Sequence, residues 1–458
     1  MNAYMKGSMI GVALVLADAS ATHAQQPSQA KPAATVTFDE AVNIALRQNI
    51  SIRQAENTND LNSASVQQAR LQFLPNLSLN VNNGLDVGRN FSQTTGGIVD
   101  QTSQSFNTGV SSSVTLFDGL RNVSNLNAAK ATEQASTKDV ARAKQTVVFT
   151  VASNFLSLIA QEEQLRVQQE NLKALELQEQ QIKSYVDAGV RPISDLYQQQ
   201  AATANARLAL VNANRAHELA KVDLIQTLRL DAAGSYDFVA PNVAATVDAA
   251  AARTFDLNGL VAQAYEQRFD LDAQEACVDA AKQTARASAA SKWPTISVSA
   301  GYNTAFSSAA DQPFADQLNE RRGGSVGLGI SLPIFDRGST SVAEQRAQIQ
   351  EENARLELEK QRQQVAIDIR RAYLDHQAAQ AQLAAAQAQK TAADQAVSAT
   401  QERYRVGAAT LVELTQARAT QVQAASALVN ARYSLVFQDA LMDYYTGSLD
   451  PANVKLGA

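Results

Sequence analysis

Val114-Thr115-Leu116-Phe117-Asp118-Gly119 and Ile330-Ser331-Leu332-Pro333-Ile334-Phe335-Asp336 read as one element written twice. Each is an apolar strand that ends in Phe-Asp and gives way to a long run free of glycine and proline. Other landmarks repeat around it. Thr37-Phe38-Asp39 is matched by Thr254-Phe255-Asp256, and Phe73-Leu74-Pro75-Asn76-Leu77 by Lys292-Trp293-Pro294-Thr295-Ile296. Phe38 and Phe255 stand 217 residues apart, Pro75 and Pro294 219, Phe117 and Phe335 218, and Gly189 and Gly407 218. A period this long exceeds that of a solenoid unit. Four landmarks in one order at one spacing predict a duplicated structural half.

Around each Phe-Asp the hydrophobic period changes. Before it, Leu77, Leu79 and Val81, then Val110, Val114 and Leu116, alternate with Ser, Thr and Asn. In the second half Ile296, Val298, Ala300 and Tyr302 share a face, as do Val326, Leu328, Ile330 and Leu332. Alternation of this kind predicts strands with one apolar and one small polar face. Polar loops are expected between the strands, over Asp86–Phe106 and Ser307–Arg322. After Phe-Asp, residues 121–186 and 339–406 hold neither Pro nor Gly, runs of 66 and 68 residues. Each predicts a helix on the order of 100 Å long, far beyond the usual three turns. In each half two shorter helical stretches nearly sum to the long one, which predicts that they stack end to end along it. Val147, Val151, Phe155 and Leu158, continued by Leu165, Leu172, Leu175 and Ile182, form one seam. Ala372, Ala379, Leu383, Ala386, Ala393 and Val397 form a thinner one.

The resulting organisation is a signal peptide over 1–24, a disordered segment over 25–36, a first repeat over 37–230, a linker over 231–253 that packs on the outside of the helices, a second repeat over 254–449, and a tail over 450–458. In the first repeat strands are expected at about 77–86 and 106–117, with helices at about 38–73 and 121–230. In the second, strands are expected at about 295–306 and 324–335, with helices at about 255–292 and 339–445. The leader is read from Lys6, the apolar run Met9–Leu16 and the small residues up to Ala24, with cleavage between Ala24 and Gln25. That run is shorter than the roughly 20 residues of a membrane span. Beyond it no stretch looks apolar enough to be a transmembrane helix, so any crossing of a membrane must use strands. Four strands cannot close a wide barrel, so copies from other subunits would be needed.

Composition excludes several functions. The 458 residues carry a formal charge of -6 with no basic block, so there is no nucleic-acid footprint. The single cysteine, Cys277, permits no intrachain disulfide and is expected to be a partly buried thiol. His23, His217 and His376 are scattered without ligand spacing, and no nucleophile–base set or phosphate loop occurs. Gly323-Gly324-Ser325-Val326-Gly327-Leu328-Gly329 lies within a strand pattern, so it suits strand curvature better than dinucleotide binding. No enzymatic activity and no metal or other cofactor is expected.

This order of elements resembles the TolC family of bacterial outer-membrane efflux and secretion channel proteins, from about Phe38 to Leu449. The resemblance implies a mainly α fold with a small transmembrane β part. Three chains would give four strands each to a twelve-stranded outer-membrane barrel, continued by a periplasmic α-helical barrel. It also implies an exit duct for an inner-membrane proton-driven or ATP-driven exporter, reached through a periplasmic membrane-fusion adaptor. The alternative is a soluble periplasmic coiled-coil adaptor or scaffold. The closest local match is the second hairpin tip, Tyr404-Arg405-Val406-Gly407-Ala408-Ala409-Thr410-Leu411-Val412-Glu413-Leu414-Thr415-Gln416. Tyr404 and Glu413 match a tyrosine and an acid that help close the entrance in that family. Ala409 stands where an arginine would be, and Gln416 where a second acid would be. At the first tip Asp195 is equivalent to Glu413, and Arg191 is a replacement for the missing base. Read from the residues alone, Gly189 and Gly407 allow the turns, and Pro192 and Thr410 start the return helices. Asp195 and Glu413 lie where a helix dipole favours an anion. Three copies would also make them a ring of six carboxylates, selective for cations.

Overall fold

A computed structural model describes residues 34–92, 96–239, 241 and 243–451. The expected leader, its cleavage site and most of the tail lie outside these residues.

The first half opens with β1 (Ala34–Val36), α1 (Phe38–Gln48) and α2 (Ile50–Leu71). Thr37 caps α1, its Oγ1 accepting the Glu40 N–H at 3.3 Å, and Asn49 caps α2 by accepting from Ser51 N–H at 2.9 Å. Two strands follow, β2 (Ser78–Ser92) and β3 (Gly97–Phe117). Next come α3 (Arg121–Asp187), α4 (Ile193–Leu228), β4 (Tyr236–Phe238) and α5 (Ala244–Ala252). The second half repeats the plan with α6 (Leu257–Gln267), α7 (Phe269–Ala289), β5 (Thr295–Ser307), a short α8 (Phe314–Glu320), β6 (Gly323–Ser331), α9 (Ser339–Arg405) and α10 (Leu411–Thr446).

The Phe-Asp signature is the strand-to-helix turn itself. Asp118 Oδ2 accepts the Asn122 N–H at 3.0 Å, and Asp336 Oδ2 accepts the Thr340 N–H at 2.7 Å, so each carboxylate serves an orphan donor at the start of a 67-residue helix. The chain passes from strand to helix through left-handed residues in both copies, Gly119 and Leu120 in one, Arg337 and Gly338 in the other. Gly119 is further constrained, because a Cβ there would lie 2.5 Å from the Ala290 carbonyl oxygen.

The helices form one layer. Toward the tips its order is α4–α3–α10–α9. Toward the sheet, α2 and α7 take the places of α4 and α10, giving α2–α3–α7–α9. The expected end-to-end stacking is present: α3 runs along both α2 and α4, and α9 along both α7 and α10. The main core lies at mid-length, where Phe38, Val151, Phe155, Leu224, Leu228, Phe238, Val247, Leu383 and Leu435 meet. Phe155 is the pivot, with Phe38 edge-on at 5.5 Å and Phe238 at 6.0 Å. The segment between the halves packs against this core, burying Val247 and Ala250 of α5.

The four-stranded antiparallel sheet has the order β2-β3-β5-β6, which leaves β2 and β6 as open edges.

Six expectations need correction. Residues 86–106 are not a loop: β2 and β3 stay paired from Ser78↔Ser111 to Ser92↔Gly97. The Gly, Asn and Thr content hid a ladder whose alternation continues through Leu85 and Val87. Within 307–322 a helical turn, α8, docks on the sheet, with Gln317 Oε1 accepting from Ser307 N–H and Gln317 Nε2 donating to Ser307 O, both at 3.0 Å. The last strand stops at Ser331 and not near 335, because Pro333 offers no ladder donor. Ala34–Val36, placed in a disordered segment, pairs in parallel with Tyr236–Phe238 and buries Val36 in the core. Finally, α3 does hold an 18-residue window of mean hydropathy 1.2, enough for a membrane span by length and composition. Half of that window is buried inside the fold, and Val147, Val148, Val151, Phe155, Leu156 and Leu158 of this helix all belong to the main core. Cys277 likewise differs from expectation, standing exposed on α7.

Candidate functional site

Two regions carry the features that bear on function, the open sheet at one end and the paired hairpin tips at the other.

Cross-strand partners share a face, so the ladder fixes what each side of the sheet presents. Leu79 pairs with Val110, Val110 with Tyr302, Val114 with Val298, Ala300 with Val326, Val298 with Leu328 and Ile296 with Ile330. This face is apolar and open, with Leu79, Val326, Leu328 and Ile330 all more than 60% exposed. The other face carries Asn80, Asn82, Ser111, Ser113, Ser297 and Ser299. On β5 the apolar face runs from Ile296 to Phe306, ten residue steps or about 33 Å of strand. Tilted as barrel strands are, that spans about 25 Å, the height of an outer-membrane apolar band. Aromatic side chains mark both limits. Phe314 of α8 sits 4.9 Å from Phe306 and 5.7 Å from Phe106 at one rim. Exposed Trp293 and Phe335 stand at the other. Beyond Phe106 the β2–β3 hairpin continues past β5, and the same face there is mixed, pairing Leu85 with Gln104, Val87 with Thr102 and Arg89 with Asp100.

At the far end the two tips lie together. Gly189 (φ +69°) and Gly407 (φ +80°) make the turns, each in the left-handed region. Pro192 precedes α4 and places Asp195 in its first turn. Thr410 and Glu413 form a reciprocal capping box: Thr410 Oγ1 accepts the Glu413 N–H at 3.2 Å, and Glu413 Oε1 accepts the Thr410 N–H at 3.3 Å. Arg403 adds an ion pair to Glu413 at 3.5 Å.

Tyr404 is the centre of this end. It is buried among Ile182, Ala409, Leu411 and Leu414. Arg191 of the first tip donates from Nη2 to the Tyr404 carbonyl at 3.2 Å and lays its guanidinium 4.6 Å from the ring centroid. Arg191 thus grips the ring and the backbone of Tyr404. The Tyr404 hydroxyl has no hydrogen-bond partner among the described residues. Burial pushes its pKa up, against the pull of Arg191, and Asp195 pushes it further. Ala409, at the position where the resemblance would place an arginine, has its methyl buried in the tip core. Gln416 is exposed on α10.

Reading the sequence missed the exposed apolar stripes on the layer's outermost helices. On α9 these are Val342, Ile349, Leu356, Ile367 and Leu374, and on α4 Ile193, Tyr197, Leu208, Val211, Leu219 and Val222. The α9 spacing of 7, 7, 11 and 7 keeps all five within about 40° of one another around the helix, the period of a packing seam. That spacing was available in the sequence.

A chain with this architecture, an open amphipathic sheet joined to a layer of 100 Å helices, has the form of one part of a larger channel. The family model for outer membrane efflux proteins matches residues 41–228 and 260–445, one half after the other. The chain belongs to that family, the TolC-type outer-membrane channel proteins. No curated protein sequence matches it. Among solved structures, the outer membrane protein VceC from Vibrio cholerae is 17% identical, with a TM-score of 0.74 over 90% of this chain and 96% of that one. The CmeC outer membrane channel of Campylobacter jejuni is 17% identical, with a TM-score of 0.75 over 91% and 87%. The MtrE outer membrane channel of Neisseria gonorrhoeae, captured in its open state, is 20% identical, with a TM-score of 0.71 over 90% and 88%.

Proposed function

We propose that three copies of this chain form a passive exit duct. Each gives four strands to a twelve-stranded barrel in the outer membrane, and the helical layers close into a periplasmic tunnel. One observation carries this reading: the sheet and the helical layer are open on the same two sides. β2 and α2/α4 bound one side and β6 and α9 the other, and the bounding helices bear apolar stripes with no partner in the chain. Strand edges left in this state invite pairing with another chain, and a second and third copy satisfy both layers at once. In this assembly the serine- and asparagine-rich face lines the lumen and the apolar face meets lipid.

Substrates would reach the duct from an inner-membrane exporter, proton-driven or ATP-driven, through a periplasmic adaptor. The leader read at residues 1–24 would direct export. The alternative of a soluble periplasmic adaptor leaves the exposed Leu79–Val326–Ile330 face without a purpose.

At the entrance, Asp195 and Glu413 from three chains make a ring of six carboxylates around the path, with Gly189, Pro192 and Gly407 shaping the tips. Tyr404 and Arg191 hold the two tips of each chain together, while Gln416 and Ala409 contribute no charge. A ring of carboxylates favours cations. In planar bilayers the purified protein is expected to conduct with a cation preference, and Asp195→Ala with Glu413→Ala to reduce that preference. Absence of conductance would contradict the duct, and unchanged selectivity in the double variant would contradict the ring.

A further inference from the structure

Between the two hairpins, just inside the tips, lies a cleft of about 280 Å³. Its walls come from three helices and the first tip's turn: Gln178 and Ile182 of α3, Tyr404 and Arg405 at the end of α9, Arg418 of α10, and Arg191 of the turn before α4. Its polar inventory is unusual. Gln178 is 5% and Tyr404 7% exposed, yet both amide atoms of Gln178 and the Tyr404 hydroxyl lack partners. Arg418 Nε is likewise sealed from solvent and unpaired. Its Nη2 has only a long 3.4 Å contact to Gln401 Oε1. A buried polar group left unsatisfied costs about 1–3 kcal/mol, and more when charged.

Three of these four unsatisfied atoms are donors. The charges point the same way. Arg191, Arg405 and Arg418 line the cleft against one carboxylate, Glu402, which is already held by Arg405 at 2.8 Å. Asp195 acts on the Tyr404 hydroxyl without being part of the lining. Guanidinium groups and neutral donors converging on a shielded cleft suit an acceptor that carries negative charge.

We propose that this cleft is a binding site for a small oxyanion, held by Arg418 and Arg191 with the Gln178 amide and the Tyr404 hydroxyl. The bound anion bridges the first hairpin, through Gln178 and Arg191, to the second, through Tyr404 and Arg418. It therefore favours the arrangement in which the tips stay paired. The site uses neither Glu413 nor conduction, so it stands or falls separately from the duct.

Titration calorimetry on the full-length protein in detergent, in low-chloride buffer, tests the proposal with two probes. Inorganic phosphate represents a free tetrahedral anion and citrate a carboxylate. At least one is expected to bind once per chain and to raise the melting temperature by mass action. Arg418→Gln should weaken binding at least tenfold, and Glu402→Gln, which frees Arg405, should tighten it. If Arg418→Gln does not fold, Gln178→Leu, which removes the amide donors, should weaken binding in its place. Silence from both probes with the wild-type chain, or equal affinity in the folded Arg418 or Gln178 variant, would overturn the site.

Discussion

Asp270 is pulled both ways. Burial alone would raise its pKa, but the bidentate Arg268 guanidinium, at 2.9 and 2.6 Å, with Arg142 and the Gln361 amide, holds it below the ordinary carboxylate range. Arg268 also donates to the Tyr445 carbonyl at 3.3 Å, so this pair ties the α6–α7 junction to α10, and Gln361 ties it to α9. A lowered folded-state pKa means that the stabilisation is present above the unfolded carboxylate value near 3.9 and is lost as pH falls through the folded value. Asp270→Asn is therefore expected to melt earlier than wild type at pH 7, by about 3 kcal/mol for a broken buried pair. The gap should narrow as the pH falls below the unfolded value and close as it passes through the lower folded one. Denaturation followed by circular dichroism across pH checks this, and a gap independent of pH would contradict it. This pair could not be read from sequence, because a spacing of two puts side chains on different sides of a helix. It forms only because Arg268 is the extended cap before α7 (φ -81°, ψ 117°). The tip residues were more legible. Glycines at matching offsets marked both turns, and Thr410 marked the start of a return helix, while its reciprocal bonding with Glu413 was not read from the sequence. The grip of Arg191 on the face of Tyr404 depends on two loops far apart in sequence and became visible only in three dimensions.

Among the elements, helix length was the most legible property, since runs without glycine or proline gave α3 and α9 almost to the residue. Strand length was the least. In β2 and β3 the Gly, Asn and Thr content that reads as loop belongs to a paired hairpin whose apolar members, Leu85 and Val87 among them, are few. The seams inside the layer were found from their apolar spacing. The stripe on α9 escaped because Glu351, Glu352, Arg355 and Glu357 crowd it with charge. That stripe sets the next expectation. Ile349→Glu with Leu356→Glu places charges on two side chains each 53% exposed in the single chain. Helix content should be retained, because neither residue packs within the protomer core, while the proposed trimer should dissociate. Light scattering coupled to size exclusion, with circular dichroism alongside, reads both. A trimer that survives intact would place the seam elsewhere.

For the whole molecule, duplication explains more than any single contact. Both halves supply a strand pair, a capped Phe-Asp turn, a long helix and a tip, and their juxtaposition makes a sheet and a helical layer of matching width. Neither layer can close alone: four strands are too few for a barrel, and the helical layer ends in apolar stripes. The repeat and the strand count were legible in the sequence, because they follow from periodicity and length. That the sheet and the helices open on the same two sides was not, since it depends on the spatial order β2-β3-β5-β6 beside α4–α3–α10–α9. The most direct test of closure is disulfide trapping between the two sheet edges. In a Cys277→Ser background, cysteine pairs combining Asn80 or Asn82 of β2 with Ser325 or Gly327 of β6 would be oxidised in native outer membranes. A closed barrel predicts that at least one pairing gives covalent dimers and trimers on a denaturing gel. Monomers alone across every pairing would contradict the account.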